Sequence, residues 1–216
     1  MNGIRLVVGL GNVGREYERT RHNAGFWVVD RIAAGAGASF STESKFFGEV
    51  GRAVVAGRSV WLLKPTTYMN LSGRAVAALA NFYRIPVGEI LVAHDDLDLP
   101  SGTARIKRGG GNAGQKGLKD IQAQLGSADF WRLRIGIDHP RELGLAQQVA
   151  DYVLHPPSRE QQERIDEAID RSLPAVRDMI GGDFEGAMMR LHTRAEKAKA
   201  RPDRKNAGDD GAKPAS

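Results

Sequence analysis

The residues able to do chemistry in this chain fall in a few short segments. His22 lies in Thr20-Arg21-His22-Asn23, at the predicted start of a helix. There the positive end of the helix dipole disfavours an imidazolium and favours a neutral, basic ring near pH 7. An acidic turn, His94-Asp95-Asp96-Leu97-Asp98, follows a predicted buried strand. A carboxylate of that turn reaching the Nδ1–H of His22 would fix the tautomer and stabilise the ring as it takes a proton from water. The same aspartates have two other readings, a solvated turn or a magnesium site made of Asp95, Asp96 and Asp98.

Amides and tyrosines surround these groups in sequence. Asn12, Asn23 and Asn70 occupy loop or helix-start positions, where an amide caps a helix or hydrogen-bonds a substrate carbonyl or amide; spacing alone favours capping. Tyr17 and Tyr68 flank two predicted strand-end loops and suit stacking on an aromatic or ribose group, or packing on the domain surface. Arg105, Lys107, Arg108, Lys116 and Lys119 surround the glycine-rich run Gly109 to Gly114, and with Arg132 and Arg134 they suit either a phosphate patch or a solvated basic strand edge. Gly9-Leu10-Gly11-Asn12-Val13-Gly14 matches the glycine half of a dinucleotide fingerprint. Its other half is missing. Arg15 to Arg21 lacks an apolar stripe to open a helix on the loop, and the acid expected after a second strand is absent, since Asp30 falls inside the predicted helix.

The positioning elements follow from periodicity. Apolar β-branched runs predict strands at Ile4 to Leu10, which should be central, at Phe46 to Val55 and Ser59 to Lys64 as a hairpin, and at Glu89 to Ala93, Thr103 to Lys107 and Trp131 to Ile137. Helical stripes predict helices at His22 to Ala34, Asn70 to Arg84, Gln115 to Leu125 and Arg159 to Ile180, the last kinked or split by Pro174, and a final helix capped by Asp183 and running through Leu191. Gly35 to Ser44 reads as a loop. Strands alternating with helices argue an α/β fold, a single domain with a twisted mixed β-sheet flanked by helices, over residues 1–193. Residues 194–216 read as a disordered basic tail. Ligands of such folds collect at the carboxyl ends of strands, which selects the loops Gly11 to His22, Pro65 to Asn70, His94 to Gly102 and Gly109 to Lys116.

Composition narrows the classes. No cysteine occurs among the 216 residues, which excludes disulfides, thiolate catalysis and Cys-ligated zinc and suits a reducing cytoplasm. No apolar window approaches the ~20 residues that span a bilayer, so the reading is a soluble, cytoplasmic protein. The net charge is +5, and the seven basic and four acidic residues from Arg194 onward hold +3 of it. Such an excess permits an anionic partner without demanding one.

Taken together, Val7-Val8-Gly9-Leu10-Gly11-Asn12-Val13-Gly14, Tyr17, Thr20-Arg21-His22-Asn23-Ala24-Gly25-Phe26, Lys64-Pro65-Thr66-Thr67-Tyr68-Met69-Asn70-Leu71-Ser72-Gly73, the acidic turn and Arg132-Leu133-Arg134-Ile135-Gly136-Ile137 resemble the bacterial-type peptidyl-tRNA hydrolase family, in order, from residue 4 to about 192. The resemblance implies a monomeric α/β esterase, with neither metal nor cofactor, that cleaves the ester between a peptide and the 3′ ribose of tRNA. It implies His22 as the base activating water, Asp95 as its supporting carboxylate and Asn12 as the residue that helps distinguish N-blocked from free aminoacyl esters. Tyr17, Tyr68 and Asn70 are implied as substrate contacts, and Lys107, Lys116 and Arg134 join them as candidates for binding the tRNA. Two departures stand out. The family usually has Pro at Val13, and Gly-His-Asn-Gly where this chain has Gly114-Gln115-Lys116-Gly117. The second motivates an alternative, an RNA-binding paralogue with weak or no hydrolysis.

Overall fold

The computed structural model describes residues 2–199, with side chains through 193. Seven strands form one mixed sheet: β1 (Leu6–Gly9), β2 (Phe40–Glu43), β3 (Gly48–Val55), β4 (Arg58–Pro65), β5 (Ile90–Asp96), β6 (Ala104–Arg108) and β7 (Trp131–Gly136), in the order β2-β3-β4-β1-β5-β7-β6. β1 pairs in parallel with β4 and β5, and β5 with β7, whereas β3 runs antiparallel to both β2 and β4, and β6 runs against β7. Parallel strands are covered on both faces, which is why β1 and β5 are buried along their whole length. In β5 the apolar run Ile90-Leu91-Val92-Ala93 ends in His94-Asp95-Asp96, so polar groups enter the interior at the carboxyl end and there need partners.

Helices close the two faces. α1 (Ala24–Gly35), α5 (Arg159–Gly181) and α6 (Phe184–Lys199) bury Val28, Ile32, Ile165, Ile169 and Leu191 against Val7, Leu62, Leu91 and Leu133. α2 (Ser72–Phe82) and α3 (Lys116–Leu125) bury Val76, Leu79, Leu118 and Ile121 against Val8, Leu63 and Val92. The sheet alternation explains the division, since successive residues of one strand face opposite layers. β1 is the point where the strand order reverses: the chain leaves it toward β4 on one side and returns to β5 on the other. A crevice outside the carboxyl ends of β1 and β5 follows from that topology.

The structure departs from the sequence reading in several places. Residues Phe40–Glu43 form the edge strand β2 inside the segment read as a loop, because so short a strand with no fully buried position carries no alternation to detect. A short helix, α4 (Val149–Val153), occupies a region with no assigned element. α5 passes through Pro174 without a break. Asp183 does cap α6, its Oδ1 accepting from the Gly186 amide at 2.8 Å. That helix continues to Lys199, past the domain boundary set by composition at 193; the remainder of the tail, 200–216, lies outside the described residues. The β3–β4 hairpin closes through Ala56 and Gly57, both at positive φ, as a two-residue turn matching strand twist requires.

Candidate active site

Glycines bring the two halves of the site together. A Cβ on Gly25 would collide with the backbone of Leu10 and with the Ala93 carbonyl, and one on Gly9 with the Gly25 carbonyl, so α1 lies directly on β1 and β5 only because both are glycine. Of the fingerprint glycines, Gly9 and Gly11 therefore face α1 at close approach while Gly14 turns the loop at positive φ, and the helix does not open on that loop. The chain instead turns through 14–20 and enters α1 by a single 3-10 turn, Arg21–Asn23.

That turn is anchored from beneath. Arg21 is buried; its guanidinium donates to Gln161 Oε1 at 2.8 and 3.0 Å and to the carbonyls of Tyr152 and His155 at 3.0 Å, and lies 3.9 Å from the Tyr152 ring centroid. Asn23 is buried on the other side. Its Oδ1 accepts from the Asn12 amide at 2.8 Å and its Nδ2 donates to the Asn12 carbonyl at 2.9 Å. Asn23 thus clamps the loop carrying Asn12 rather than capping α1. Neither Asn23 nor Asn70 makes a side-chain cap bond, contrary to the expectation from spacing.

Between these anchors His22 Nδ1 lies 2.9 Å from Asp95 Oδ2. Asp95 is buried and His22 largely so, its side chain 14% exposed. Burial, the largest single influence, pushes the His22 pKa down, but attraction to Asp95 and the hydrogen bond to it together outweigh burial, and the result lies above the ordinary 6.5; nearby Lys116 pulls the other way. The helix-start argument for a neutral ring is thus overridden by the carboxylate, while the cation at 116 acts in the direction its charge requires. Burial presses the Asp95 pKa upward, yet the His22 ring, its hydrogen bond, His94 and Gln115 bring it below the ordinary 3.8. His94 is held neutral mainly by burial. Its Nδ1–H donates to the Asp95 carbonyl at 2.7 Å, and Nε2 has no hydrogen-bond partner among the described residues.

The cation alternative for the acidic turn fails on the pairing of its members. Asp95 is committed to His22, and Asp96 Oδ2 accepts from Arg134 Nε at 2.6 Å while its Oδ1 accepts from the Asp98 amide at 3.0 Å. Among the described residues no group of three or more His, Asp or Glu side chains could hold a metal ion.

The pair opens into a cleft of about 860 Å³. Its lining includes the polar Asn12, Tyr68 and Asn70, the apolar Val149, Val153 and Leu154, and the cationic Lys107, Lys116, Arg132 and Arg134. Tyr68 lines the cleft and is 80% exposed, and Tyr17 stands outside the lining. Arg105 and Lys119 also stand outside it, and Arg108 pairs with Asp129 at 2.8 Å. Arg132 is spent on structure, donating to the carbonyls of Gly109 and Gly111. Those bonds correct the strand-end argument for the glycine loop. β6 is antiparallel, so its carboxyl end points away from the site, and the loop reaches the cleft by folding back over β7 onto Arg132.

Sequence reasoning missed Gln115 as a partner of Asp95 and the apolar wall of α4, whose five residues are too few to display a helical period. His94 Nε2 carried no signal in sequence.

The sequence profile described as Peptidyl-tRNA hydrolase matches residues 6–200. The chain belongs to this family. It is 59% identical over 189 residues to the peptidyl-tRNA hydrolase of Bordetella parapertussis, covering 88% of each chain, and 56% identical over 193 residues to that of Neisseria meningitidis serogroup C, covering 89% of this chain and 99% of the other. The crystal structure of peptidyl-tRNA hydrolase from Acinetobacter baumannii superposes with a TM-score of 0.84 at 43% identity, covering 88% of this chain and 95% of that one. The same α/β architecture thus recurs in a solved peptidyl-tRNA hydrolase, and the cleft described above is the candidate active site of a family member. Among the described residues no helix is long and apolar enough to cross a membrane.

Proposed function

We propose that this chain hydrolyses the ester of peptidyl-tRNA, releasing peptide and free tRNA, with His22 as general base and Asp95 as its supporting carboxylate. The observation that carries the mechanism is the 2.9 Å contact of His22 Nδ1 with Asp95 Oδ2 in the lining of the cleft. Nδ1–H donates to the carboxylate, which leaves Nε2 as the ring's acceptor. Nε2 takes a proton from water as the water oxygen attacks the ester carbonyl. Collapse of the tetrahedral intermediate breaks the acyl–oxygen bond, and the proton passes to the departing ribose oxygen, leaving the acid and the free 3′ end. Attack by base-activated water needs no covalent enzyme intermediate, and none of the cleft residues is a serine or cysteine.

Asn12 and Asn70 present amides to the cleft, suited to the peptide's own amide groups and to the developing oxyanion. Requiring the first peptide bond for those contacts separates N-blocked from free aminoacyl esters, because a site that hydrogen-bonds a group rejects the substrate lacking it. Lys107 and Lys116 bring positive charge to the cleft, Arg134 lines it while paired with Asp96, and with the exposed Tyr68 they suit phosphates and a ribose or base. Tyr17 lies on the turn leading into Arg21 and serves the substrate only if tRNA extends beyond the cleft. Every group in this scheme comes from one chain, which supports our reading of a cytoplasmic monomer acting through residues 1–193.

Hydrolysis of an N-acetyl-aminoacyl-tRNA by wild type and by His22→Ala, with unblocked aminoacyl-tRNA as control, tests the proposal. Wild type should cleave only the blocked ester and His22→Ala neither. Binding of tRNA without cleavage by wild type would instead support the RNA-binding paralogue.

A further inference from the structure

Asp95 has two oxygens, and the proposed mechanism uses one. The other, Oδ1, accepts from Gln115 Nε2 at 3.3 Å. Gln115 is also the N-cap of α3, its Oε1 accepting from the Leu118 amide at 2.9 Å, and Nε2 lies 3.5 Å from Met69 Sδ. An amide committed by its oxygen to a backbone N–H has only one orientation left, with its donor turned toward the carboxylate. Gly117 leaves the space in which the amide lies: a Cβ there would stand 3.0 Å from Gln115 Oε1 and closer still to Met69 Sδ and Leu10 Cδ1.

We propose that Gln115 is a positioning residue that locks the Asp95 carboxylate in the rotamer presenting Oδ2 to His22, and so couples the start of α3 to the base. The proposal rests on the His22–Asp95 reading above. With Oδ2 held by His22 and Oδ1 by Gln115, rotation of the carboxylate breaks both bonds, and the tether is independent of pH because an amide does not titrate. A histidine, the residue the family resemblance places here, would change charge in the working range and pass that change to Asp95.

Two variants test the tether. Gln115→Asn keeps a preferred N-cap residue but is one methylene too short to reach Asp95. Gln115→Glu keeps the length and the cap and replaces the donor with a second negative charge beside Asp95. With N-acetyl-aminoacyl-tRNA as substrate, Gln115→Asn should lower kcat about fivefold, the worth of one neutral hydrogen bond, with KM and Tm as in wild type. Gln115→Glu should move the acid limb of the kcat profile to higher pH, since added negative charge stabilises the His22 imidazolium. Wild-type kcat in Gln115→Asn together with an unmoved limb in Gln115→Glu overturns the tether, as does a raised KM at wild-type kcat, which would make residue 115 a substrate contact. His22→Ala in the same assay separates the two levels: if it is inactive while both Gln115 variants match wild type, only the tether fails, and if it retains turnover, the base assignment falls and the tether with it.

Discussion

Replacing Asp95 by Asn removes one charge and almost no volume, and its consequences have both a size and a sign. The carboxylate stands 2.9 Å from the His22 ring in a buried setting. Two opposite unit charges with centres near 4 Å attract by about 4 kcal/mol at the effective dielectric of 20 that suits such pairs. That attraction exists only when the ring is charged, as it becomes while water loses its proton. Desolvation and rearrangement reduce the realised loss to about 2–4 kcal/mol, a fall in kcat of roughly 30- to 1000-fold. The sign appears in the pH profile. Asp95 is the group raising the His22 pKa above 6.5, whereas burial and Lys116 both lower it. Without the carboxylate those two act unopposed, so the acid limb of kcat/KM should move from above 6.5 to below it even as turnover falls. Initial rates on N-acetyl-aminoacyl-tRNA across pH 5 to 9, with a parallel NMR titration of His22, measure both. A limb that stays in place or moves upward in Asp95→Asn would refute the pairing as the source of the ring's basicity.

Lys116→Ala deletes a cation that pulls the His22 pKa down, so its acid limb should move to higher pH, opposite to Asp95→Asn; an NMR titration of the ring checks the direction. The ion pair should contribute to stability fully between pH 3.8 and 6.5. Above that window the contribution is lost as pH rises through the raised His22 pKa, and below it as pH falls through the lowered Asp95 pKa; the Tm gap between wild type and His22→Ala across pH reads this. Arg21→Ala leaves Gln161 Oε1 and two carbonyls without their donor in the interior and should cost about 3 kcal/mol in urea unfolding. Lys107→Ala should weaken tRNA binding and flatten the log–log salt dependence by about one unit, the share of one phosphate contact, in binding measured between 50 and 200 mM salt.

What could be read from sequence and what could not divide along physical lines. The apolar runs of β1, β5 and β7 are legible because a strand buried on both faces has few alternatives, and the helices over Val76 and Ile165 because their apolar period is long, whereas His94, Asp95 and Asp96, read as a turn, prolong β5 and show no apolar signal. The pairing of His22 with Asp95 could be argued because a base and an acidic turn sat at ends of neighbouring parallel strands. The direction of its pKa could not, since the helix start and the carboxylate act oppositely and only distance decides between them. The Arg21–Gln161 anchor joins residues 140 apart, and the return of the glycine loop over Arg132 depends on β6 being antiparallel. Neither leaves a local mark in the sequence.

The seam between β1 and β5 has a further consequence. His22 follows one strand and Asp95 ends the other, 73 residues apart, and the register that aligns them is the parallel pairing of Gly9 with Ala93. Parallel pairing is non-local, and its loop-closure entropy must be met before any contact rewards it. No fragment ending before β5 holds a complete base, and no collapsed intermediate lacking the β1–β5 register can turn over substrate. Recovery of hydrolysis during refolding should therefore trail the early return of helical signal and keep time with the sheet, making catalysis a stopwatch for the slowest ordering event in the chain.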